Sequence, residues 1–461
     1  MTSIGMVWFR RDLRLDDNPA WATATSMHER VLPVFVLDPA LLDRASERRR
    51  DRLVGDLTAL DARLREHGGS LCVVGGDPVD VIARLAHEQG CAAVHVNADV
   101  TPYSSSRDVA VESALSRAGI AWHPTWGTLV QPPGSVRTAA GTLSQVFTPF
   151  HRRWEQTPWD RWPEPGAGRP IALTIDPFPT AGPYPVLGDQ TGDAAEPGER
   201  GARARLALAV SRADAYDDER NTPSIHGTSE LSIDLRFGTI SPRDAHDAIG
   251  VSTPGRAALT RQLAWRDWYA HLLVERPELV SRAMKDKFDA MAWLHDDAGF
   301  EAWTLGRTGY PFVDAGMRQL RETGWMHNRV RMVTASFLVK NLLIDWRRGE
   351  RWFRHVLLDA DVSQNVGNWQ WVAGTGPDAS PYNRVFNPVL QGTKFDPAGD
   401  YVRTWVPELR GLDAASIHEP WNAPPLELAA AGVVLGDTYP APIVDLAESR
   451  RRVLAAYEAV R

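Results

Sequence analysis

At 461 residues the chain exceeds the usual single-domain range, so two domains are expected, each burying its own core. A formal net charge of −7 argues against a general polyanion binder; two cysteines, Cys72 and Cys91, exclude a disulfide framework, lack metal-ligand spacing and read as buried thiols of a cytoplasmic protein. No apolar run reaches membrane-span length, and no signal-peptide core follows the early Arg10-Arg11, so a soluble protein with no membrane partner is expected.

Ile4 to Phe9 is a short apolar run ending at Arg10-Arg11-Asp12-Leu13-Arg14, the pattern of a buried strand leaving its sheet at a polar carboxyl end. Val31 to Leu37, Ser70 to Val74 and Ala92 to Val96 repeat it. Helical patterns lie between them, at Arg49 to Glu66 and at Pro78 to Gln89. There is no GxGxxG turn; Gly75-Gly76-Asp77-Pro78 instead predicts a strand-to-helix turn with Asp77 as N-cap and Pro78 at the first helical position. The alternation predicts an α/β doubly wound parallel-sheet domain over residues 1–130, with ligands at the carboxyl ends near Arg10 to Asp12, Asp38 and Asn97 to Asp99.

Residues 124 to about 200 are rich in proline and glycine, so 131–200 reads as a long interdomain linker wrapping the surface, with one helical candidate at Phe147 to Arg153. From Gly201 helical periods dominate and predict an all-α domain over 201–461. Within it, Gln262, Trp265, Arg266 and Tyr269 share one helical face at i, i+3, i+4 and i+7. If Trp325 to Met332 is helical, Trp325, Asn328, Arg329 and Met332 repeat that arrangement. Each face offers flat rings beside directional polar groups, suited to a nucleobase or a flavin; the plain alternative packs Trp and Met inward while Asn and Arg cap the edge. Most of the 18 tryptophans lie after residue 260, which hints at stacking or electron chemistry.

Gly227-Thr228-Ser229-Glu230-Leu231-Ser232 puts hydroxyls around a glycine before a helical run, either as donors to a pyrophosphate or as an ordinary capped loop. Tyr216 and Arg220 precede it at i and i+4. Asp359, Asp361 and Asn365 stand before Trp369 and Trp371, and Arg331 is the natural partner for a buried Asp359. No His or Cys cluster supports a metal, no nucleophile and base are spaced for hydrolysis, and His327 reads as a hydrogen-bonded structural histidine. The arginines from Arg329 to Arg354 form either a local nucleic-acid face or a solvated helix side.

Three blocks of sequence carry a family resemblance. Trp303 to Lys340, with Gly309-Tyr310-Pro311, Asp314-Ala315-Gly316-Met317-Arg318 and Trp325-Met326-His327-Asn328-Arg329, resembles the photolyase and cryptochrome family, and so does Asn365-Val366-Gly367-Asn368-Trp369-Gln370-Trp371. The opening Trp8-Phe9-Arg10-Arg11-Asp12-Leu13-Arg14 with Asp17-Asn18-Pro19 is similar to the family's first strand and turn. The resemblance spans essentially the whole chain and is strongest to the class I branch that repairs cyclobutane pyrimidine dimers.

It implies an antenna-binding α/β domain, a linker and a helical domain holding FAD in a bent form. By motif position, Tyr216, Thr228, Ser229, Leu231, Ser232 and Arg266 would line the FAD, with Trp325, Asp359, Asp361, Asn365 and Trp371. Asn365 would face the flavin N5, where asparagine is similar to the repair enzymes that need fully reduced flavin. Trp369, Trp346 and Trp293 occupy the family's electron-relay positions; plain core packing fits Trp346 poorly because Asp345, Arg347 and Arg348 flank it. Gln262, Trp265, Asn328, Arg329 and Met332 match positions that contact a dimer flipped out of damaged DNA, and Arg220 and Arg329 would hold phosphates.

Gln262 replaces a glutamate of many dimer-repairing members and resembles (6-4) photoproduct enzymes, whereas Asn328 with Met332 favours the cyclobutane substrate. Leu259 replaces an aromatic found near FAD in some members. Thr101 stands where folate-binding members have glutamate, so the antenna expected is 8-hydroxy-5-deazaflavin rather than methenyltetrahydrofolate, among Asp38, Arg49, Asp99 and Val100. The expectation is a monomeric, light-driven DNA lyase; the rival is a blue-light photoreceptor, disfavoured because the chain stops at Arg461, soon after the helical pattern Asp445 to Ala459.

Overall fold

The computed structural model describes residues 3–187, 190–378 and 381–460. Two compact units form, one from Met1–Asp214 with Ser229–Pro277 and the other from Ala215–Thr228 with Glu278–Arg461. These units are cut differently from the sequence segments 1–130, 131–200 and 201–461, because the helices around residues 198–212 and 254–275 group with the sheet.

In the first unit, β1 (Ile4–Phe9), β2 (Arg30–Leu37), β3 (Cys72–Gly75), β4 (Cys91–Asn97) and β5 (Ala121–Thr125) pair in the order β3-β2-β1-β4-β5, all parallel. A two-residue strand β6, Arg169–Pro170, adds to the start of β2. Crossover helices α1 (Pro19–Met27), α2 (Glu47–Glu66), α3 (Pro78–Glu88) and α4 (Pro102–Arg117) complete the doubly wound arrangement. Asp77 caps α3 by accepting from Val79 N at 2.7 Å, with Pro78 at the first position, as expected. The strands bury Met6, Trp8, Val34 and Val94 with Ile82 and Leu115 from the helices. Cys72 and Cys91 lie in that core, where burial pushes both thiols up to about 11.

Two features of this unit depart from the expectation. The fifth strand, Ala-Trp-His-Pro-Thr, is hidden from a pattern reading by Pro124, which an edge strand tolerates because the missing N–H faces no neighbour. The linker is also more than a surface wrap. Its helix α5 (Phe147–Gln156) buries Phe147, Phe150 and Trp154, and Tyr184 donates from its hydroxyl to Asp56 Oδ1 at 2.9 Å. Asp56 Oδ1 also accepts from Gly198 N, the first residue of α6 (Gly198–Arg212). Arg52 and Arg205 converge on buried Asp234; burial raises that carboxyl, and the two guanidiniums overcome it and hold it low. The long helix α7 (Pro254–Glu275) completes the unit.

The second unit is helical: α8 (Asp297–Leu305), α9 (Pro311–Thr323), α10 (Asn328–Ser336), α11 (Trp346–Val356), α12 (Val362–Ala373) and α13 (Leu446–Glu458) are its main elements. Buried Asp314 on α9 accepts from Thr308 N and Oγ1 at 2.7 Å, Gly309 N at 3.0 Å and Tyr439 Oη at 2.7 Å. One carboxylate thus pins the Gly309-Tyr310-Pro311 turn, where Gly309 has φ +77°, to the segment near Tyr439. Among the described residues, no helix is long and apolar enough to cross a membrane.

Three buried histidines are held neutral. Burial lowers His95 to about 3, helped by His123 and His28, and lowers His271 and His327 each to about 4. A depressed histidine stabilises the fold above its ordinary value of 6.5 and loses that contribution as pH falls towards the folded value. The buried histidines therefore contribute a loss of stability as pH falls from 6.5 towards about 4, opposite in sign to buried Asp267, whose carboxyl burial raises to about 6. His327→Asn keeps a helix-capping acceptor without a titrating group, so calorimetry across that range should show a shallower acid limb; an unchanged slope would contradict the assignment.

Candidate functional site

In the second unit the candidate residues are organised by α12. Asp361 caps it, accepting from Gln364 N at 3.2 Å and Ser363 Oγ at 2.6 Å. Asp361, Asn365 and Trp369 follow at i, i+4 and i+8, on one face, and all three are buried. The Asn365 amide nitrogen donates to both the backbone oxygen and Oε1 of Glu350, each at 2.9 Å. Those bonds use the amide hydrogens on Glu350 and leave the amide oxygen as the end that can accept from another group. Burial raises the Glu350 carboxyl above its ordinary range, and Arg354, 2.7 Å away, opposes that rise.

Trp369 packs against α11. A Cβ on Gly349 would stand 2.2 Å from its Cη2, so only glycine admits the indole there. Phe353 and Trp303 meet the ring edge-on at centroid distances of 5.0 and 6.2 Å. Trp346, at the start of α11, is 1% exposed, which corrects the argument that its charged neighbours fit core packing poorly. Asp345 caps the helix, Arg347 lies 4.8 Å from the Trp346 ring, and Arg348 pairs with Asp297 at 2.8 Å, so the charges are used around a buried indole. Trp293 is half-buried, and the parallel bridge of Leu294 with Ile344 sets its segment beside the residues leading into α11.

The segment Trp325 to Met332 is helical only from Asn328, a second correction. Gly324 closes α9 in the left-handed region at φ +72°, and His327 then caps α10, its Nδ1 accepting from Arg329 N at 3.2 Å. Trp325 therefore lies in the connection, half-buried, with its ring 6.3 Å from His327 and at 89° to it. Arg329 and Met332 do come together, at 3.8 Å from Nη1 to Sδ, while Asn328 is exposed. The Arg329 guanidinium is oriented by Asn221 Oδ1, 2.6 Å from Nη2, and lies 4.4 Å from the Phe395 ring. Arg331 meets Asp359 through two bonds of 3.0 and 2.8 Å, the pairing expected. Trp371 is half-buried on α12, Thr228 is half-buried, and Arg220 sits 5.7 Å from the half-buried Tyr216 ring.

In the first unit, α7 presents Gln262, Trp265, Arg266 and Tyr269 as one stripe. Trp265 is stacked on Phe147 of α5, with centroids 3.6 Å apart and planes 11° from parallel. Gln262 Nε2 donates to Ala258 O at 2.9 Å, and Arg266 donates to the carbonyls of Thr128 and, at 3.0 Å, Leu235. Leu259 is buried on the same helix. Leu231 is buried before the short helix Ser232–Phe237, Ser229 is half-buried and Ser232 exposed, and Glu230 turns the chain there at φ +54°.

At the carboxyl ends of the strands, Arg11 pairs with Asp99 at 2.9 Å, and Asp99 Oδ2 accepts from Ser104 Oγ at 3.0 Å. Burial works against the Asp99 carboxylate, but Arg11 and Arg10 hold it down to about 2. Tyr103 donates to buried Asp38, so Asp38 and Asp99 both meet α4, and Val100 N donates to Asp99 Oδ1 at 2.7 Å. Arg49, on α2, donates from Nη2 to Arg44 O at 3.2 Å. Thr101 is the N-cap of α4.

Sequence reasoning missed Glu350, Asn221 and Phe147, the residues that hold Asn365, Arg329 and Trp265. Only Glu350 left a trace, an i, i+4 relation to Arg354 on a tryptophan-rich helix. Among the described residues, no group of His, Cys, Asp and Glu could hold a metal ion.

Residues 6–166 match the family model described as DNA photolyase, and residues 259–459 match the FAD binding domain of DNA photolyase. The chain is 42% identical to the deoxyribodipyrimidine photo-lyase of Agrobacterium fabrum, covering 99% of this chain and 98% of that one. It is 38% identical to the protein of the same name from Escherichia coli K12, with the same coverage. Among solved structures, a bacterial class III photolyase from Agrobacterium tumefaciens superposes with a TM-score of 0.90 at 40% identity, over 100% of this chain and 98% of that one. A Synechocystis cryptochrome gives 0.88 at 30% identity, over 99% of each. The chain belongs to the photolyase and cryptochrome family.

Arg331→Ala would leave the Asp359 carboxylate without its two charge-assisted bonds. A loss of about 2–3 kcal/mol in folding stability is expected by denaturant titration, and a change below about 0.5 kcal/mol would show that the pair is immaterial.

Proposed function

We propose that this chain repairs cyclobutane pyrimidine dimers in damaged DNA by light-driven electron transfer, with FAD as the bound cofactor. The observation that carries the reading is the face of α12, where Asn365 is fixed by Glu350 one turn before Trp369. FAD, when bound and fully reduced, supplies the electron that splits the dimer on blue-light excitation and receives it back.

The donor chemistry of the chain suits that group. Asn365 would offer its amide oxygen to an N–H of the flavin, because its hydrogens are already engaged. Ser229 and Ser232 would supply hydroxyls and backbone N–H groups of the kind a pyrophosphate accepts from, and Thr228 precedes them in the chain. In the second unit Tyr216, Trp325, Asp359, Asp361 and Trp371 would hold the cofactor; Leu231 and Arg266 of the first unit stand at the family's other cofactor positions.

Trp293, Trp346 and Trp369 would carry electrons from solvent inward when the cofactor is first reduced, and the decrease in exposure from Trp293 to Trp346 supports that order. For the lesion, Trp265 with Gln262 in the first unit would offer a stacking surface, and in the second unit Asn328 and Met332 would meet bases while Arg220 and Arg329 would hold phosphates. A dimer is already distorted in the duplex, so extruding it costs less than extruding a normal base. Histidine is absent at Asn328, which favours the cyclobutane lesion over the (6-4) photoproduct. The antenna reading is 8-hydroxy-5-deazaflavin among Asp38, Arg49, Asp99 and Val100. The protein acts as a monomer in the cytoplasm, where Cys72 and Cys91 stay reduced.

Illumination of the purified protein with a dimer-containing oligonucleotide and a reductant should restore the absorbance of intact pyrimidines. Failure with a normal flavin spectrum would favour a photoreceptor. In Trp369→Phe, light-driven cofactor reduction should be lost while repair with chemically reduced cofactor survives; retained photoreduction would overturn the relay.

A further inference from the structure

The linker helix α5 enters the site through one ring. Phe147 is 1% exposed and lies parallel to Trp265 at van der Waals distance, so one face of that indole is closed within the protein itself. Trp268 meets both rings edge-on, at 5.3 Å from Trp265 and 5.7 Å from Phe147, the geometry that the charge distribution of aromatic rings favours. The Arg261 guanidinium lies 5.3 Å from the Phe147 ring.

The two helices that carry this stack are fastened by buried polar bonds. Trp154 Nε1 donates to Asp267 Oδ2 at 2.8 Å, and Asp267 also accepts from Gln131 N at 2.8 Å. Trp268 Nε1 donates to Ser144 O at 2.8 Å, His271 Nε2 meets Gln131 O at 3.0 Å, and the Gln131 side chain donates to Thr157 O at 2.6 Å. The register of α5 on α7 is therefore set on both sides of Phe147, and the ring cannot leave Trp265 without breaking bonds in the interior.

We infer that Phe147 is a positioning residue for lesion recognition: it backs the Trp265 indole, fixes its rotamer before DNA arrives and leaves the opposite face as the one on which a flipped dimer can stack. The inference rests on the reading of Trp265 as the lesion-stacking ring. Its physical basis is pre-organisation, since an indole already immobilised by Phe147 and Trp268 loses little rotational freedom when a base settles on it. General DNA affinity comes mainly from phosphate contacts, which a neutral ring does not make, so Phe147 governs discrimination between damaged and undamaged DNA rather than general DNA affinity.

The test compares full-length, FAD-loaded Phe147→Leu, Phe147→Tyr and Trp265→Ala proteins. Phe147→Leu keeps apolar bulk but removes the plane, and should weaken binding of a dimer-containing oligonucleotide roughly 3- to 10-fold. Its binding of undamaged DNA, its FAD content and its repair rate at saturating DNA should match those of the parent, and Phe147→Tyr, which keeps the plane, should recover most of the lost discrimination. Phe147→Met serves the same comparison if the leucine protein does not accumulate. Unchanged dimer binding in the leucine or methionine protein, with weakened binding in Trp265→Ala, would overturn the backing role and leave the function standing. Unchanged binding in all variants would overturn the Trp265 reading as well. Parallel losses of dimer binding, undamaged-DNA binding and FAD would reduce Phe147 to a packing residue and also overturn the proposal.

Discussion

The buried contact between the Asn365 amide and Glu350 is the constraint on which the second unit's candidate chemistry depends. Glu350 accepts from Asn365 through both its side chain and its backbone, and it is in turn held by Arg354. An amide in a buried site has two ends and no intrinsic reason to prefer one orientation; two acceptors on one side remove the ambiguity. The same contact joins α11 to α12. With Asp361 capping α12 and Trp369 seated on Gly349, the cap, the amide and the indole stand on a single rigid rod. Their spacing is thereby a property of helix geometry and not of loop conformation.

The first unit uses a comparable device with different chemistry. There the flat surface is Trp265, and its rigidity comes from aromatic stacking on α5, reinforced by bonds from Trp154 and Trp268. A linker in a two-domain chain is ordinarily a connection. In this chain it buries three aromatic residues of α5 and reaches Asp56 through Tyr184, so its composition of proline and glycine describes the stretches between anchors and not the anchors themselves.

What could be read in the sequence was local. Asp77 with Pro78 shows a helix start because capping and the proline preference act within one turn, and α5 and α7 show because their apolar spacing spans several turns. The Asp359–Arg331 pair was also legible, since a buried carboxylate demands a cationic partner. The helical condition on the octet after Gly324 holds only from Asn328, because the left-handed glycine and the His327 cap outrank a 3.6-residue period that runs through a stop signal. Trp346 was misread because charges on adjacent residues say little about an indole that points about 100° away from each of them. The partners of Glu350, Asn221 and Phe147 were not legible for a different reason. Each acts on a partner distant in sequence, and no local rule ties a helix residue to an amide 15 positions on or a linker ring to an indole 118 positions on. β5 escaped because a proline inside five residues outweighs its alternation until its edge position is known.

The central claim is that the amide of Asn365 faces the reactive edge of a bound flavin. Aspartate at that position is nearly isosteric but adds negative charge in a buried site beside Glu350, which disfavours a fully reduced, negatively charged flavin. The most direct measurement is the absorption spectrum of Asn365→Asp during illumination with a reductant. The account predicts FAD content equal to that of the parent with failure to accumulate the fully reduced cofactor. Full reduction at the parent's rate, with an unaltered spectrum throughout, would contradict it.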